Sequence, residues 1–136
     1  MIYLKKSEYS VILQQARREY DNECCGFLAG VKKAGDVYIN KAYALVNVDN
    51  SSEHFSMNPK EQFEKVKLIR KENMELLGNY HSHPHSPSRP SEEDKRLAFD
   101  PNIIYAILSL QNKEKPVFNL FKINKNNVEK LEYEII

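Results

Sequence analysis

The 136-residue chain lacks the features that mark several classes of protein. It has no tryptophan, only four glycines, and no run near the roughly 20 apolar residues that a membrane span needs. Its 20 basic and 19 acidic side chains give a formal net charge of +1, so no charge excess indicates a nucleic-acid or membrane partner. Its first residues are charged where a secretory leader is apolar. We therefore expect a cytoplasmic protein.

Cysteine is almost absent as well. Cys24 and Cys25 are the only two, and adjacent cysteines cannot form an ordinary disulfide without straining the peptide between them. This suits a reducing compartment. A cysteine nucleophile with a histidine base is one alternative, and a small buried side chain is the simpler one. The zinc nucleobase deaminases are excluded, because no P-C-x-x-C motif follows an H-x-E motif.

What the chain does contain is the composition of one globular α/β (α+β) domain over residues 1–136. Hydrophobic residues make up 41% and charged residues 29%, with no repeat or linker. The pattern predicts helices that begin at Ser7, Asn58 and Ser91 around a curved, mainly antiparallel or mixed sheet. The predicted strands are Cys25–Val31, Val37–Val48, Glu53–Met57, Leu76–His81, Ile103–Ser109, Val117–Ile123 and Val128–Tyr133.

Two histidines stand at the end of one of these strands. Leu76 to Tyr80 forms a short, mostly apolar run that leads into His81 and His83. Alternate side chains of a strand point the same way, so an H-x-H pair delivers two imidazoles to one point. Pro84 then ends the strand, because it lacks an N–H and restricts the residue before it. The sequence thus places two nitrogen ligands on a rigid support.

A carboxylate follows after a stiff, proline-rich loop. Ser91 is a good helix N-cap, and Asp94 lies in the first turn, from which it can face the end of the strand. Two neutral imidazoles and one carboxylate, with a fourth position left to water, form the ligand set of a catalytic zinc site. Asp94 could equally be the acidic half of a capping box. His85 belongs to the loop and His54 to a distant segment, so neither is counted as a ligand.

The string H81-S82-H83-P84, six residues, then S91-E92-E93-D94 resembles the JAMM signature H-[ST]-H-P-x6-S-x-x-D of the MPN-domain metallopeptidases. The spacing agrees at every position. Glu23, in DNECCGFLAG, resembles the E-x-C-G stretch of the compact bacterial and archaeal members. The resemblance covers essentially the whole chain and implies the MPN fold, which has a cytidine deaminase-like architecture.

The resemblance also implies a role for each site residue. One zinc ion would be held by His81, His83 and Asp94. Zinc lowers the pKa of its water to about 7, so a carboxylate such as Glu23 can take the proton and pass it to the leaving amine. Without the downstream motif, Glu23 could be a solvated acid at a helix end. Ser91 would hydrogen-bond the oxyanion, in addition to or instead of capping the helix.

The resemblance further implies a substrate. Compact members cut after the C-terminal Gly-Gly of ubiquitin-like or sulfur-carrier proteins, and a tail without side chains can thread a narrow groove in extended form. Strand Glu53–Met57 is the predicted edge that would hold such a tail by strand addition. The alternatives are a catalytically silent MPN-like scaffold and a metal-dependent hydrolase of a small amide or a carrier-cysteine adduct. The oligomeric state is not readable from the sequence.

Overall fold

A computed structural model describes every residue from Met1 to Ile136. The helices are α1 (Lys6–Arg18), α2 (Pro59–Lys71) and α3 (Glu92–Leu97). The strands are β1 (Ile2–Leu4), β2 (Cys25–Lys33), β3 (Asp36–Leu45), β4 (Glu75–His83), β5 (Ile104–Ser109), β6 (Val117–Asn124), β7 (Asn127–Leu131) and β8 (Tyr133–Ile135). None of the helices combines the length and the apolar character that a bilayer crossing requires.

All eight strands form one mixed sheet in the order β7-β6-β5-β4-β2-β3-β1-β8. Strand β4 lies in the middle, antiparallel to β2 and parallel to β5. The pairs β1–β3 and β1–β8 are also parallel, whereas the remaining pairs are antiparallel. The predicted class, a mixed sheet flanked by helices, is confirmed.

The two faces of the sheet are covered by different helices. Helix α1 places Ile12 and Ala16 against one face, in a core that includes Leu28 and Tyr80. Helix α2 covers the opposite face through Ile69. Because alternate residues of a strand point to opposite faces, the neighbours of Tyr80 on β4 point away from α1. His81 and His83 therefore lie on the face that α2 and α3 border.

Three strand predictions need correction. The predicted strand Val37–Val48 ends at Leu45, and Val128–Tyr133 is divided between β7 and β8, which lie at opposite edges of the sheet. Glu53–Met57 is not an edge strand, since its sole β-contact is an isolated bridge between Met57 and Asn47. The amides of this segment are engaged locally instead, because Glu53 and His54 donate to the Ser51 hydroxyl.

Candidate metal centre

Strand β4 delivers the two histidines from the centre of the sheet. His81 is in register with Cys25 of β2 on one side and with Ile107 of β5 on the other. His83 is the last residue of the strand and pairs with Ser109. Both side chains are buried, and their Nε2 atoms lie 3.1 Å apart. The strand therefore does what the H-x-H spacing predicts.

Helix α3 supplies the carboxylate. Asp94 Oδ2 lies 3.2 Å from Nε2 of His81 and 3.1 Å from Nε2 of His83. The same oxygen accepts a hydrogen bond from the Ser91 backbone N–H at 2.9 Å, and Asp94 N–H donates to Ser91 Oγ. The capping box and the ligand position, two alternatives for Asp94 in the sequence, are thus both present in the structure.

The spacing of these three atoms fits a tetrahedral ion. With metal–ligand distances of about 2.0–2.1 Å, two ligands of a tetrahedral zinc are separated by about 3.3 Å. The three separations at this site are 3.1, 3.1 and 3.2 Å. Three electron-rich atoms at this spacing repel one another unless a hydrogen or a cation lies between them. His81, His83 and Asp94 form a group that could hold a metal ion, with zinc as the ion that the donor set and spacing fit.

The loop after β4 fixes the orientation of His83. Its Nδ1 donates to the carbonyl of Pro87 at 2.8 Å. A carbonyl only accepts, so Nδ1 carries the hydrogen and Nε2 of the neutral ring has a free lone pair. The loop is itself anchored to the sheet, because Ser88 Oγ donates to Ile107 O and Ser109 Oγ donates to Ser86 O. A proline-rich segment thereby selects the tautomer that a metal ligand needs.

The site attracts positive charge. Burial by itself would raise the pKa of Asp94, but hydrogen bonds from His81 and His83, in the form in which each ring carries a hydrogen on Nε2, hold that pKa well below its usual range. Burial is the largest single influence on His83 and would lower its pKa, but the hydrogen bonds to Asp94 and to the Pro87 carbonyl, together with the negative charges of Asp94 and Glu23, raise that pKa. Burial dominates at His81 and lowers its pKa. An ionised carboxylate beside two imidazoles is the charge arrangement of a cation site.

Glu23 lies beside this group and not in solvent. It is 3% exposed, so its alternative assignment as a solvated acid is wrong. Burial raises the pKa of Glu23 to about 8. The next largest effects are the charge of His83, which lowers this pKa, and the charge of Asp94, which raises it. Its Oε1 has no hydrogen-bond partner in the protein. Such a carboxyl group can exchange a proton near neutral pH.

Ser91 caps α3 and keeps a hydrogen available. Its Oγ accepts from the Asp94 N–H at 3.0 Å. A hydroxyl group has one donor hydrogen as well as two acceptor lone pairs, so the cap occupies only an acceptor position. Ser91 is exposed. Capping and donation to a substrate oxygen are therefore compatible.

The remaining histidines and cysteines do not join the group. His85 is exposed and bonds to Asp21, and His54 is exposed and bonds to Asp49. Cys24 and Cys25 are fully buried, and burial raises the pKa of each thiol to about 12. Because the thiolate is the nucleophilic form, neither cysteine suits the alternative of a cysteine nucleophile.

Two neighbouring residues were missed by the sequence analysis. The ring of Phe55 stacks on His81, with centroids 4.7 Å apart and an angle of 28° between the ring planes. Asn47 is buried and donates from Nδ2 to the carbonyl oxygen of Glu23. No pattern in the sequence marks either residue, since Phe55 has the character of a strand residue and Asn47 that of a polar residue near a strand end.

A small cavity opens beside His81. Its volume is about 60 Å³. Its apolar walls are Phe55, Leu97, Tyr105, Ile107 and Ile123, with His54, Asn79, His81, Glu93 and Asp94 as the polar ones. Pockets for small molecules usually measure about 300–1,000 Å³. The space next to the candidate metal ligands is therefore narrow.

One protein family and several characterised proteins are similar in sequence to this chain. The family described as prokaryotic homologs of the JAB domain matches residues 5–123. A "CysO-cysteine peptidase" of Mycobacterium tuberculosis is 22% identical over 123 residues, which is 90% of this chain and 83% of that protein. A "Desampylase" of Pyrococcus furiosus is 35% identical over 72 residues, covering 53% of this chain and 49% of that protein.

Solved structures share the fold over the full length. Protein DSY2949 of Desulfitobacterium hafniense is 46% identical, with a TM-score of 0.92 over 100% of this chain and 93% of that one. A structure described as "JAMM: A Metalloprotease-like Zinc Site in the Proteasome and Signalosome" is 18% identical, with a TM-score of 0.64 over 100% of this chain and 98% of that one. At this identity, the second likeness shows the fold alone.

Proposed function

Because the chain belongs to the family of prokaryotic JAB-domain proteins, we propose that it is a zinc-dependent peptidase or isopeptidase. Its substrate is a ubiquitin-like or sulfur-carrier protein, cut at the amide bond after a C-terminal Gly-Gly. The observation that carries this proposal is the convergence of His81, His83 and Asp94 within hydrogen-bond distance of one another, beside a buried Glu23. The family match over residues 5–123 confirms the resemblance to the MPN-domain metallopeptidases at the level of fold and family.

The side chains divide the work of amide hydrolysis among them. His81, His83 and Asp94 would hold zinc, which when bound supplies Lewis acidity and makes water more acidic. Glu23 takes the proton of the attacking water and returns it to the leaving amine. A group that acts first as a base and then as an acid needs a pKa near the working pH. Burial raises the pKa of Glu23 to about 8. Buried Glu23 is suited to both transfers.

Ser91 assists at the scissile carbonyl. Its hydroxyl oxygen is anchored by the Asp94 N–H, whereas its hydrogen is free to point into the site. A donor aimed at the developing oxyanion lowers the barrier by roughly 3 kcal/mol. The anchoring also fixes the distance between this donor and the ligand Asp94, since both belong to the first turn of α3.

The narrow cavity supports a glycine tail over a small metabolite. A volume of about 60 Å³ with walls of Phe55, Leu97 and Tyr105 leaves little room for side chains. An extended backbone without side chains fits such a space, whereas a free small amide substrate would need more of its surface enclosed. Because Glu53–Met57 is not a strand, the tail would be held by these walls and not by strand addition at that segment.

The test is hydrolysis of a carrier protein fused through its C-terminal Gly-Gly to a reporter. The purified protein should release the reporter in the presence of zinc, and a chelator should abolish release. A Glu23→Gln variant provides the matched control for contaminating peptidases, because it preserves the shape of the side chain. Equal silence of the wild type and the variant with zinc, across several carriers, would favour the alternative of an MPN-like scaffold.

A second candidate function is release of cysteine from a carrier–cysteine adduct. It is favoured by the similarity to a protein named "CysO-cysteine peptidase" over 90% of this chain. The chemistry at the site is the same, since the bond cut is again an amide after the carrier tail. A carrier ending in Gly-Gly-Cys distinguishes the two functions when its rate is compared with that of the reporter fusion.

A further inference from the structure

One buried amide side chain links the segments that surround the metal centre. Asn47 follows β3 and is 4% exposed. Its Nδ2 donates to the carbonyl oxygen of Glu23 at 3.0 Å and to that of His54 at 3.2 Å. Its Oδ1 accepts from the N–H of Asp49 at 3.0 Å and from that of Ser56 at 3.2 Å. All the principal hydrogen-bonding positions of this amide are thus in use.

The partners of Asn47 belong to two different parts of the site. Glu23 carries the carboxyl group that we assign to proton transfer. The other partners lie in the loop 47–57, which is closed at its neck by the bridge of Asn47 to Met57 and by Val48 N–H donating to Ser56 O. The same loop carries Phe55, which stacks on His81. Asn47 therefore joins the backbone of Glu23 to the loop that contacts a metal ligand.

The loop holds the Glu23 backbone on both sides. The Glu23 N–H donates to Ser51 O at 2.8 Å, while the Glu23 carbonyl accepts from Asn47. Glu23 lies in the segment between α1 and β2, outside the regular hydrogen bonds of both elements. Its side-chain Oε1 has no partner that could orient it. The hydrogen bonds of Glu23 in the structure are therefore those of its backbone, which the loop and Asn47 hold in place.

We propose that Asn47 is a positioning residue for Glu23: by bonding the Glu23 carbonyl and the loop 47–57 together, it holds the proton-transferring carboxyl group in line with the metal centre. The inference rests on the proposed function for its catalytic consequence, but the positioning itself is a property of the folded chain. Asn47 does not act on the substrate, and no side chain other than Asn47 donates to the Glu23 carbonyl.

The test uses Asn47→Asp, which keeps the size of the side chain and the Oδ1 acceptor but removes both N–H donors. Its second oxygen would face the carbonyl oxygens of Glu23 and His54, which repel it. A misplacement of about 1 Å can cost roughly a hundredfold in rate. We expect kcat on the Gly-Gly fusion to fall by about one to two orders of magnitude with KM and zinc content unchanged.

A second readout does not need activity. Amide hydrogen exchange at Glu23 should accelerate by about tenfold in Asn47→Asp, as expected when one buried hydrogen bond that restrains the segment is lost. The matched control is Glu8→Ala. Glu8 is also nearly buried and accepts from the Ala42 N–H through Oε1, but it packs between α1 and β3, away from the metal centre. This control should lose stability without a change in kcat of the folded protein.

The two readouts separate the possible failures. An unchanged exchange rate at Glu23 and unchanged kcat would overturn the positioning role. Faster exchange with a wild-type kcat would also overturn it, because Asn47 would then hold the backbone without affecting proton transfer. If wild-type protein hydrolyses no carrier, the proposed function fails, whereas faster exchange at Glu23 alone would still support the link between Asn47 and Glu23.

Discussion

One oxygen atom of Asp94 connects the helix cap to the candidate metal ligands. Asp94 Oδ2 accepts from the Ser91 N–H and also faces Nε2 of both His81 and His83. The Ser91 N–H contributes to the lowered pKa of Asp94, after the larger effects of the two imidazoles. A helix cap is usually a local stabilising feature. Here it also aims a carboxylate at the two histidines.

Replacing Glu23 tests proton transfer separately from metal binding. Glu23→Gln keeps the side-chain volume but cannot take up a proton. We expect turnover to fall by roughly a hundredfold to ten-thousandfold, the usual contribution of a positioned acid or base. Zinc content should match that of the wild type, because Glu23 is not among the three converging ligand atoms. Steady-state kinetics and elemental analysis measure the two quantities. Loss of zinc in this variant would instead make Glu23 a ligand.

Replacing Ser91 tests whether this residue contributes to catalysis as well as to the cap of α3. Ser91→Ala removes both the cap and the hydroxyl donor, so we expect a loss of about 1 kcal/mol of stability. If the donor also serves the oxyanion, kcat should fall by about a hundredfold or more. Chemical denaturation and kinetics measure the two effects.

Asn58→Ala is the matched control for the Ser91 variant. Asn58 caps α2 by accepting from the N–H groups of Lys60 and Glu61. Its replacement should cost a similar stability with kcat unchanged. If both substitutions had an equal and small effect on kcat, Ser91 would be only a helix cap and would have no role in catalysis.

Among the elements, strands β4 and β5 come very close to each other at Gly78, on the strand that carries the two histidines. A Cβ added at Gly78 would lie 2.1 Å from the carbonyl oxygen of Ile104 across the parallel pair. This contact is impossible without separating the strands, and β4 also carries His81 and His83. Gly78 thus permits the strand spacing on which the positions of the two histidines depend.

Gly78→Ala should therefore lower the free energy of unfolding by about 3 kcal/mol, as for an overpacked core. Gly35→Ala is the comparison, since a Cβ there meets nothing within 4 Å and the cost comes only from its φ of +83°. That left-handed conformation should cost about 1 kcal/mol in a non-glycine residue. Urea denaturation of both variants measures the difference. A cost at Gly78 no greater than at Gly35 would show that the sheet yields there.

The elements also show how far the sequence determines this fold. The apolar run to His81, the periodic residues of α1 and the caps at Asn58 and Ser91 each predict a local structure that is observed. The strands β1 and β8 have three residues each and no periodic signal. Their pairing with each other joins the two ends of the chain, which no local pattern specifies.

The segment 47–57 is where the sequence-based prediction fails within the site. Phe55 and Met57 suggested a strand, but the amide side chain of Asn47 accepts from Ser56 N–H and donates to His54 O, which keeps the segment folded on itself. A side chain that competes with strand pairing for backbone groups is not visible in hydrophobic periodicity. The grouping of His81, His83 and Asp94 was predictable because their spacing in the sequence is local, whereas the Asn47 link is not local.

In the molecule as a whole, the sheet brings the site together from three distant parts of the chain. Glu23 precedes β2, the histidines end β4, and Asp94 begins α3. The register of Cys25 with His81 sets the first two side by side, and the anchored loop 84–90 brings the third back to them. The fold therefore accounts for how residues from 23 to 94 meet.

The most direct test of this account is the zinc content of the purified protein and of Asp94→Asn, measured by elemental analysis without exposure to chelating resin. Asparagine keeps an oxygen that can cap α3 but removes the charge that the two histidines face. Glu93→Gln, the same chemical change one residue earlier, is the control. We expect about one zinc per chain in the wild type and in the control, as for a three-ligand site. Asp94→Asn should retain little. Absence of stoichiometric metal in the wild type, or equal content in all three proteins, would contradict the central claim.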